Sequence, residues 1–266
     1  LVRAAHPLPC ITVTALATAL ALAAGVGGRS ALLAAAMLCG QLSVGWSNDA
    51  IDAPADILAE RADKPIALGA VSRATVGRAA AGALVLTVPL SLLLGWRAGI
   101  AHLTAVALAW AYNLGLKRTL ASPLPYAGAF GLLPVIVAAM LPGAPAPRPA
   151  LVIAGACCGV AAHFANTVGD TTEDALTGVR GLPQRIGPEA STVVAGIFVA
   201  AAVVCILVAV GPTPLTVMAA VIDLAIAAVL PSAVRHPERR AAFRLVIVAV
   251  AVLVTAFVIA GGSHLT

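Results

Sequence analysis

The chain has 266 residues, of which 61% are hydrophobic, 10% charged and 4% aromatic, and its formal net charge is +5. That apolar content lies far above the roughly 45–50% of soluble domains and excludes an ordinary water-soluble globule. The basic excess is scattered over short loops with no soluble domain to carry it, which excludes nucleic acid as a partner and points to the lipid bilayer.

Nine apolar segments follow in order, at 7–25, 31–46, 75–95, 100–116, 125–141, 150–168, 190–210, 214–230 and 242–261. Each is close to the roughly 20 residues a helix needs to cross a bilayer, and none alternates polar with apolar positions as a barrel strand would. The segments predict an all-α integral membrane bundle of nine transmembrane helices forming a single domain over residues 1–266. The first segment, with Arg3 as a basic flank, could be mistaken for a secretory signal; eight further apolar runs make it the first transmembrane helix. The five cysteines, Cys10, Cys39, Cys157, Cys158 and Cys205, lie inside apolar runs without a C-x-x-C pair and read as small core hydrophobes.

Connections after the odd-numbered segments are short, and those after the even-numbered ones hold the polar residues. Arg3, Arg61, Lys64, Arg73, Arg78, Lys117, Arg118, Arg180, Arg185, Arg235, Arg239, Arg240 and Arg244 fall on the side of the N-terminus, against Arg29, Arg97 and Arg148 on the other. By the positive-inside rule the N-terminus and the polar loops face the cytoplasm.

Eight of the eleven acids are gathered into two of those loops: Asp49, Asp52, Asp56, Glu60 and Asp63, then Asp170, Glu173 and Asp174. Residues four apart share a helix face, so Asn48, Asp52 and Asp56 predict one row of oxygen ligands, and Asn166, Asp170 and Asp174 a second. This echo fits two related halves meeting at one site. Like charges at this spacing repel, so a cation is expected between them. Oxygen ligands without His or Cys suit a hard ion, and Mg²⁺ is usually held by a few carboxylates, waters and substrate phosphates. Lys64, Lys117, Arg118, Arg180 and Arg185 lie on the same face. Carboxylates alone repel a diphosphate, whereas carboxylates with Mg²⁺ and flanking cations bind one and neutralise the charge that builds as it leaves. The alternative is a solvated charged loop.

Asn48-Asp49-x-x-Asp52-x-x-x-Asp56, followed by Arg61, Asp63-Lys64-Pro65 and Gly69, resembles the N-D-x-x-D-x-x-x-D motif and its trailing R-x-x-[RK]-P-x-x-x-G in the UbiA superfamily of intramembrane prenyltransferases. Asp170-x-x-x-Asp174-x-x-x-Gly178-x-Arg180-x-x-Pro183-x-x-x-Gly187 is similar to the second motif of that superfamily, and Tyr112, a few residues before Lys117-Arg118, to its third. The resemblance spans most of the chain. It implies a central cavity capped on the cytoplasmic side, two Mg²⁺ ions and a polyprenyl diphosphate. Asp52, Asp56, Asp170 and Asp174 would be the principal Mg²⁺ ligands, with Asp49 and Asn48 on or beside the metal. Lys64, Lys117, Arg180 and Arg185 would contact the diphosphate, with Tyr112 and Asn166 also at the substrate. Ionisation of the allylic carbon–oxygen bond would leave a carbocation in a dry cavity, open to attack by an acceptor. This chain departs from many members in having His6-Pro7 where they have Arg-Pro, and in a Tyr112-to-Lys117 spacing one residue longer than in aromatic-acid members.

His163 lies on the face of Asn166 and Asp170. It reads either as a catalytic base or polar contact to the acceptor, or as a histidine bonded to a neighbouring helix. Asp223, deep in an apolar segment, is either functional or hydrogen-bonded to a Ser, Thr or backbone group of a neighbouring helix. His102 reads as interfacial, and His6, His236 and His264 sit at helix ends where solvent can reach them. Trp46, Trp110, Tyr112 and Phe164 flank the motifs and could either stabilise a cation or anchor the interface. Two other functions use intramembrane acids: a terpene cyclase that closes the prenyl cation on itself, and a transporter, which would carry its acids near the midplane.

Overall fold

A computed structural model describes the chain except residues 171–173, 175–176, 237, 239 and 262–263; Glu173 and Arg239 lie outside the described residues. Among the described residues there is no strand, and nine helices have 16 residues or more. They are α1 (Pro7–Ala23), α2 (Arg29–Leu58), α3 (Arg73–Leu93), α4 (Trp96–Leu114), α5 (Pro123–Ala139), α6 (Pro149–Val168), α7 (Pro188–Val210), α8 (Pro214–Val229) and α9 (Ala241–Gly261). A five-residue helix, Leu182–Ile186, precedes α7. Six helices are long and apolar enough to cross a membrane, and α1 and α5 are shorter apolar helices. The chain is a multi-pass membrane protein.

Local chemistry sets the helix ends. Pro7, Pro123, Pro149, Pro188 and Pro214 each open a helix, where the missing N–H would have had no intrahelical partner. Helix α3 starts after Ser72, whose Oγ accepts a hydrogen bond from the Thr75 N–H at 3.1 Å. The three cations that break the charge bias each have a local anchor. Arg29 donates to the Leu94 carbonyl at 2.6 Å and the Met140 carbonyl at 3.1 Å, at the C-terminal ends of α3 and α5. Arg148 donates to the Ala209 carbonyl near the end of α7 at 2.5 Å, and Arg97 stands 5.2 Å from the centroid of Trp96. Cations belong at helix C-termini, where carbonyls are unpaired and the dipole is negative.

Helix α6 is packed against α5, α7 and α9. A Cβ added at Gly159 would lie 2.3 Å from the Tyr126 carbonyl oxygen, and one at Gly155 2.6 Å from that of Phe130. The backbones of α5 and α6 therefore touch at a small-residue seam, the packing mode that apolar solvent favours. Gly159→Ala forces a methyl against a main-chain oxygen and is expected to destabilise the fold by about 1–3 kcal/mol. Thermal unfolding in detergent checks this, and an unchanged midpoint contradicts it.

The seam carries Tyr126 and Phe130. Phe130 joins Leu16, Ala154, Cys158, Ile206 and Phe257 around an apolar cavity between α1, α5, α6, α7 and α9, with about 90 Å³ open to the centre of a water-sized sphere. Cys158 is a wall residue, and all five cysteines are free.

One predicted boundary changes, and one predicted row of ligands is broken. Helix α2 does not stop at Trp46 but continues to Leu58 with Pro54 inside it, so the whole first motif is helical. Helix α6 ends at Val168, and the Asp170 N–H turns back to the Thr167 carbonyl at 3.1 Å. Asn166, Asp170 and Asp174 therefore do not form a row on one continuous helix. The Asp170 carbonyl accepts the Asp174 N–H at 2.8 Å.

Candidate active site

The first motif is assembled by a close approach. A Cβ at Gly45 would stand 2.3 Å from the Ala5 carbonyl oxygen, so glycine there lets the N-terminal turn Arg3–Ala5 rest on α2. His6 follows with φ +53°, and its Nε2 lies 3.0 Å from Oδ1 of Asp49, one helical turn beyond Gly45. Solvent still reaches His6, as expected of a helix end, with 28% of its side chain exposed, and the ring also engages the motif. Lys64 Nζ donates to the same Asp49 oxygen at 2.7 Å and stands 3.9 Å from Asp56. Asp49 is 2% exposed and Lys64 8%, so this pair is buried.

Asp52 accepts from Asn48 Nδ2 at 3.0 Å and forms an ion pair with Lys117, which is buried in the turn Leu116–Arg118. Asn113 ties α4 to α2: its Nδ2 donates to Ser47 Oγ at 2.8 Å and to the Val44 carbonyl at 3.0 Å, and its Oδ1 accepts from Asn48 at 3.3 Å. Asn113 lies inside the third motif, between Tyr112 and Lys117, and carries no signal of this role in the sequence.

Arg61 joins the two motifs. It grips both oxygens of Asp63 at 2.8 and 2.9 Å and donates to Asp170 Oδ1 at 3.1 Å. That bidentate bond holds the Asp63 carboxyl well below the usual carboxylate range. Asp174 accepts from Gln184 Nε2 at 2.8 Å, a partner no motif had flagged. Burial raises the Asp174 carboxyl to about 6, against the opposing Gln184 bond and with repulsion from Asp170 added.

Beneath the carboxylates lies a cluster of rings. Tyr112 meets Tyr126 edge-on at 5.1 Å and His163 at 5.6 Å, and Tyr126 stacks on Phe130 of the cavity wall at 6.4 Å. His163 Nε2 lies 3.1 Å from Ser122 Oγ, in the connection that enters α5.

Other predicted residues fall outside this cluster. Arg180 and Arg185 are exposed, with Arg185 Nε bonded to the Arg180 carbonyl at 2.9 Å, and Asn166 is half-buried. His102 is buried rather than interfacial, its Nδ1 lying 2.7 Å from Ser91 Oγ. Asp223 is fully buried, and neither of its oxygens has a hydrogen-bond partner among the described residues, which corrects the hydrogen-bonded reading. Trp46 and Trp110 donate to the Leu1 carbonyl at 3.0 Å and to Ser43 Oγ at 3.2 Å.

The donor set fits a hard cation. Asp49 Oδ2 and Gln184 Oε1 are buried oxygens without a hydrogen-bond partner among the described residues, beside carboxylates and no thiol. No group of three or more His, Cys, Asp or Glu among the described residues forms a ready-made cage. Mg²⁺ suits such a site, because it relies on few carboxylates and completes its shell with water and phosphate.

A cation binding Asp174 must displace its proton. Mg²⁺ affinity measured by calorimetry is therefore expected to fall as pH drops through about 6, by up to about tenfold per unit. Without the cation the sign is opposite: a raised carboxyl favours the folded state below its ordinary value, and that contribution is lost as pH rises through about 6. Asp174→Asn should thus stabilise the metal-free protein at pH 8, less so at pH 5, and do little only below the ordinary carboxylate value of about 4. Affinity that stays flat from pH 8 to pH 5 contradicts both statements.

A bundle of apolar helices that gathers two acidic motifs and their cationic partners at one end defines an integral membrane protein with a charged site at its helix ends. Residues 10–245 match the UbiA prenyltransferase family, and the chain belongs to that family as a prenyl transferase. No curated protein matches the sequence. Among solved structures, a UbiA homologue from Archaeoglobus fulgidus bound to GPP and Mg²⁺ is 15% identical with a TM-score of 0.72, covering 99% of this chain and 98% of that one. A UbiA homologue from Aeropyrum pernix K1 is 18% identical with a TM-score of 0.70, covering 93% and 97%. A digeranylgeranylglyceryl phosphate synthase is 16% identical with a TM-score of 0.68, covering 97% and 96%.

Proposed function

We propose that the chain acts as one Mg²⁺-dependent catalytic unit, with its polar loops on the cytoplasmic side, and moves an isoprenyl group from a polyprenyl diphosphate to an acceptor. The observation that carries this reading is the Arg61 bridge between the two motifs, with Lys64 and Lys117 against their carboxylates, next to a ring cluster that reaches the apolar cavity.

Asp49, Asp52, Asp56, Asp170 and Asp174 would hold the metal, with Asn48 orienting Asp52 and Gln184 orienting Asp174. When bound, Mg²⁺ neutralises the diphosphate and the charge that grows on it as it leaves. Lys64 and Lys117 exchange carboxylate partners for phosphate oxygens, with Arg180, Arg185 and Asn166 as further substrate contacts once substrate is bound. The allylic carbon–oxygen bond breaks with its electron pair going to the diphosphate. Tyr112 and Tyr126 present ring faces to the cation, and the cavity holds the tail and excludes water. The acceptor forms the new bond and gives its proton to the departing diphosphate, the nearest base.

The test incubates purified protein with Mg²⁺ and a panel of prenyl diphosphates, with and without membrane extract, and identifies products by mass spectrometry. Prenylated acceptor formed only with extract is the expected result. A cyclised hydrocarbon formed without extract overturns transfer in favour of a cyclase, and solute uptake without diphosphate turnover overturns both.

A further inference from the structure

Ser122 and His163 are buried together, at 0% and 1% exposure. The Leu182 N–H donates to Ser122 Oγ at 3.1 Å, so that oxygen is already an acceptor. The proton of the Ser122 hydroxyl has one acceptor within hydrogen-bond distance among the described residues, His163 Nε2 at 3.1 Å. The neutral ring must then carry its own proton on Nδ1. Nδ1 is buried and has no hydrogen-bond partner among the described residues. Rings surround it: Tyr126 at 4.9 Å, Tyr112 at 5.6 Å and Phe164 at 5.6 Å between centroids. A buried N–H left unpaired is costly, and a site that only folds a hydrocarbon cation on itself has no use for one.

We propose that the Nδ1–H of His163 donates a hydrogen bond to an oxygen atom of the acceptor, so that the site selects acceptors carrying a hydroxyl or carbonyl oxygen. With its proton fixed on Nδ1 by Ser122, His163 binds the acceptor and does not act as the base. The Tyr126 ring beside His163 stacks in turn on Phe130 of the cavity wall. The proposal rests on the transfer reading above.

Two substitutions separate the ring nitrogens. His163→Asn keeps a donor at the Nδ1 position and gives up Ser122; His163→Gln keeps the reach to Ser122 and gives up the Nδ1 donor. With membrane extract as acceptor source, the extract concentration for half-maximal transfer is expected to rise about tenfold in His163→Gln. In His163→Asn it should stay within about threefold of wild type. Binding of a prenyl thiodiphosphate analogue should be unchanged in both, and the prenylated product should derive from an oxygen-bearing acceptor. An oxygen-free acceptor, equal behaviour of the two variants, or loss of analogue binding in both overturns the proposal. Wild type that releases no diphosphate from any prenyl diphosphate overturns the transfer reading itself.

Discussion

Asp52→Asn should lower prenyl diphosphate turnover by about a hundredfold or more while leaving the fold intact. Asp52 is the carboxylate of the first motif that both Asn48 and Lys117 engage, so it links α2 to the third-motif turn. The amide keeps the shape and the contact with Asn48 but removes the charge that a divalent cation and Lys117 require. The Asp52 side chain is 21% exposed, but its partner Lys117 is buried, so the substitution should also lower the unfolding midpoint without unfolding the protein. Turnover within a few-fold of wild type in a folded Asp52→Asn protein would remove Asp52 from the site.

A change at Lys64 should act on stability and activity together. Lys64 and Asp49 form a buried pair with His6 against the same carboxylate oxygen. Lys64→Met leaves the Asp49 charge short of its main partner, and loss of one member of a buried pair costs about 3–5 kcal/mol. Converting Asp49 to Asn in the same protein should restore most of that stability, because the stranded charge is gone. It should not restore turnover, because neither a metal ligand nor a diphosphate contact returns. Chemical unfolding of the single and double variants beside their turnover resolves the two effects. A double variant no more stable than Lys64→Met would show that the pair does not behave as a unit.

The membrane architecture was legible in the chain because apolar run length and loop charge are one-dimensional signals. The three arginines that broke the charge pattern, Arg29, Arg97 and Arg148, lie at helix ends or over a ring, which the pattern does not encode. The acidic motifs were also legible, yet their shapes were not. Identical four-residue spacing is one helix face in Asn48–Asp52–Asp56 and spans a helix end in Asn166–Asp170–Asp174, where α6 stops at Val168. The bond between His6 and Asp49 was not legible, because it depends on Gly45 admitting the Ala5 carbonyl, a tertiary approach with no local signature. Gln184 and Asn113 escaped because a neutral amide inside a motif reads as spacer. The unpartnered oxygen of Gln184 beside Asp174 marks it only in three dimensions. His102 was misread for the same reason: its partner Ser91 lies across a helix turn, at the end of α3.

The central claim is that the two aspartate motifs act as one cation-dependent site on a prenyl diphosphate. The most direct measurement is diphosphate release by the purified, reconstituted protein as Mg²⁺ is titrated in and then removed with a chelator, for wild type, Asp52→Asn and Asp174→Asn. Release should rise with Mg²⁺, stop on chelation and be lost in both variants. Release that ignores the chelator, or that survives loss of either carboxylate, would contradict it.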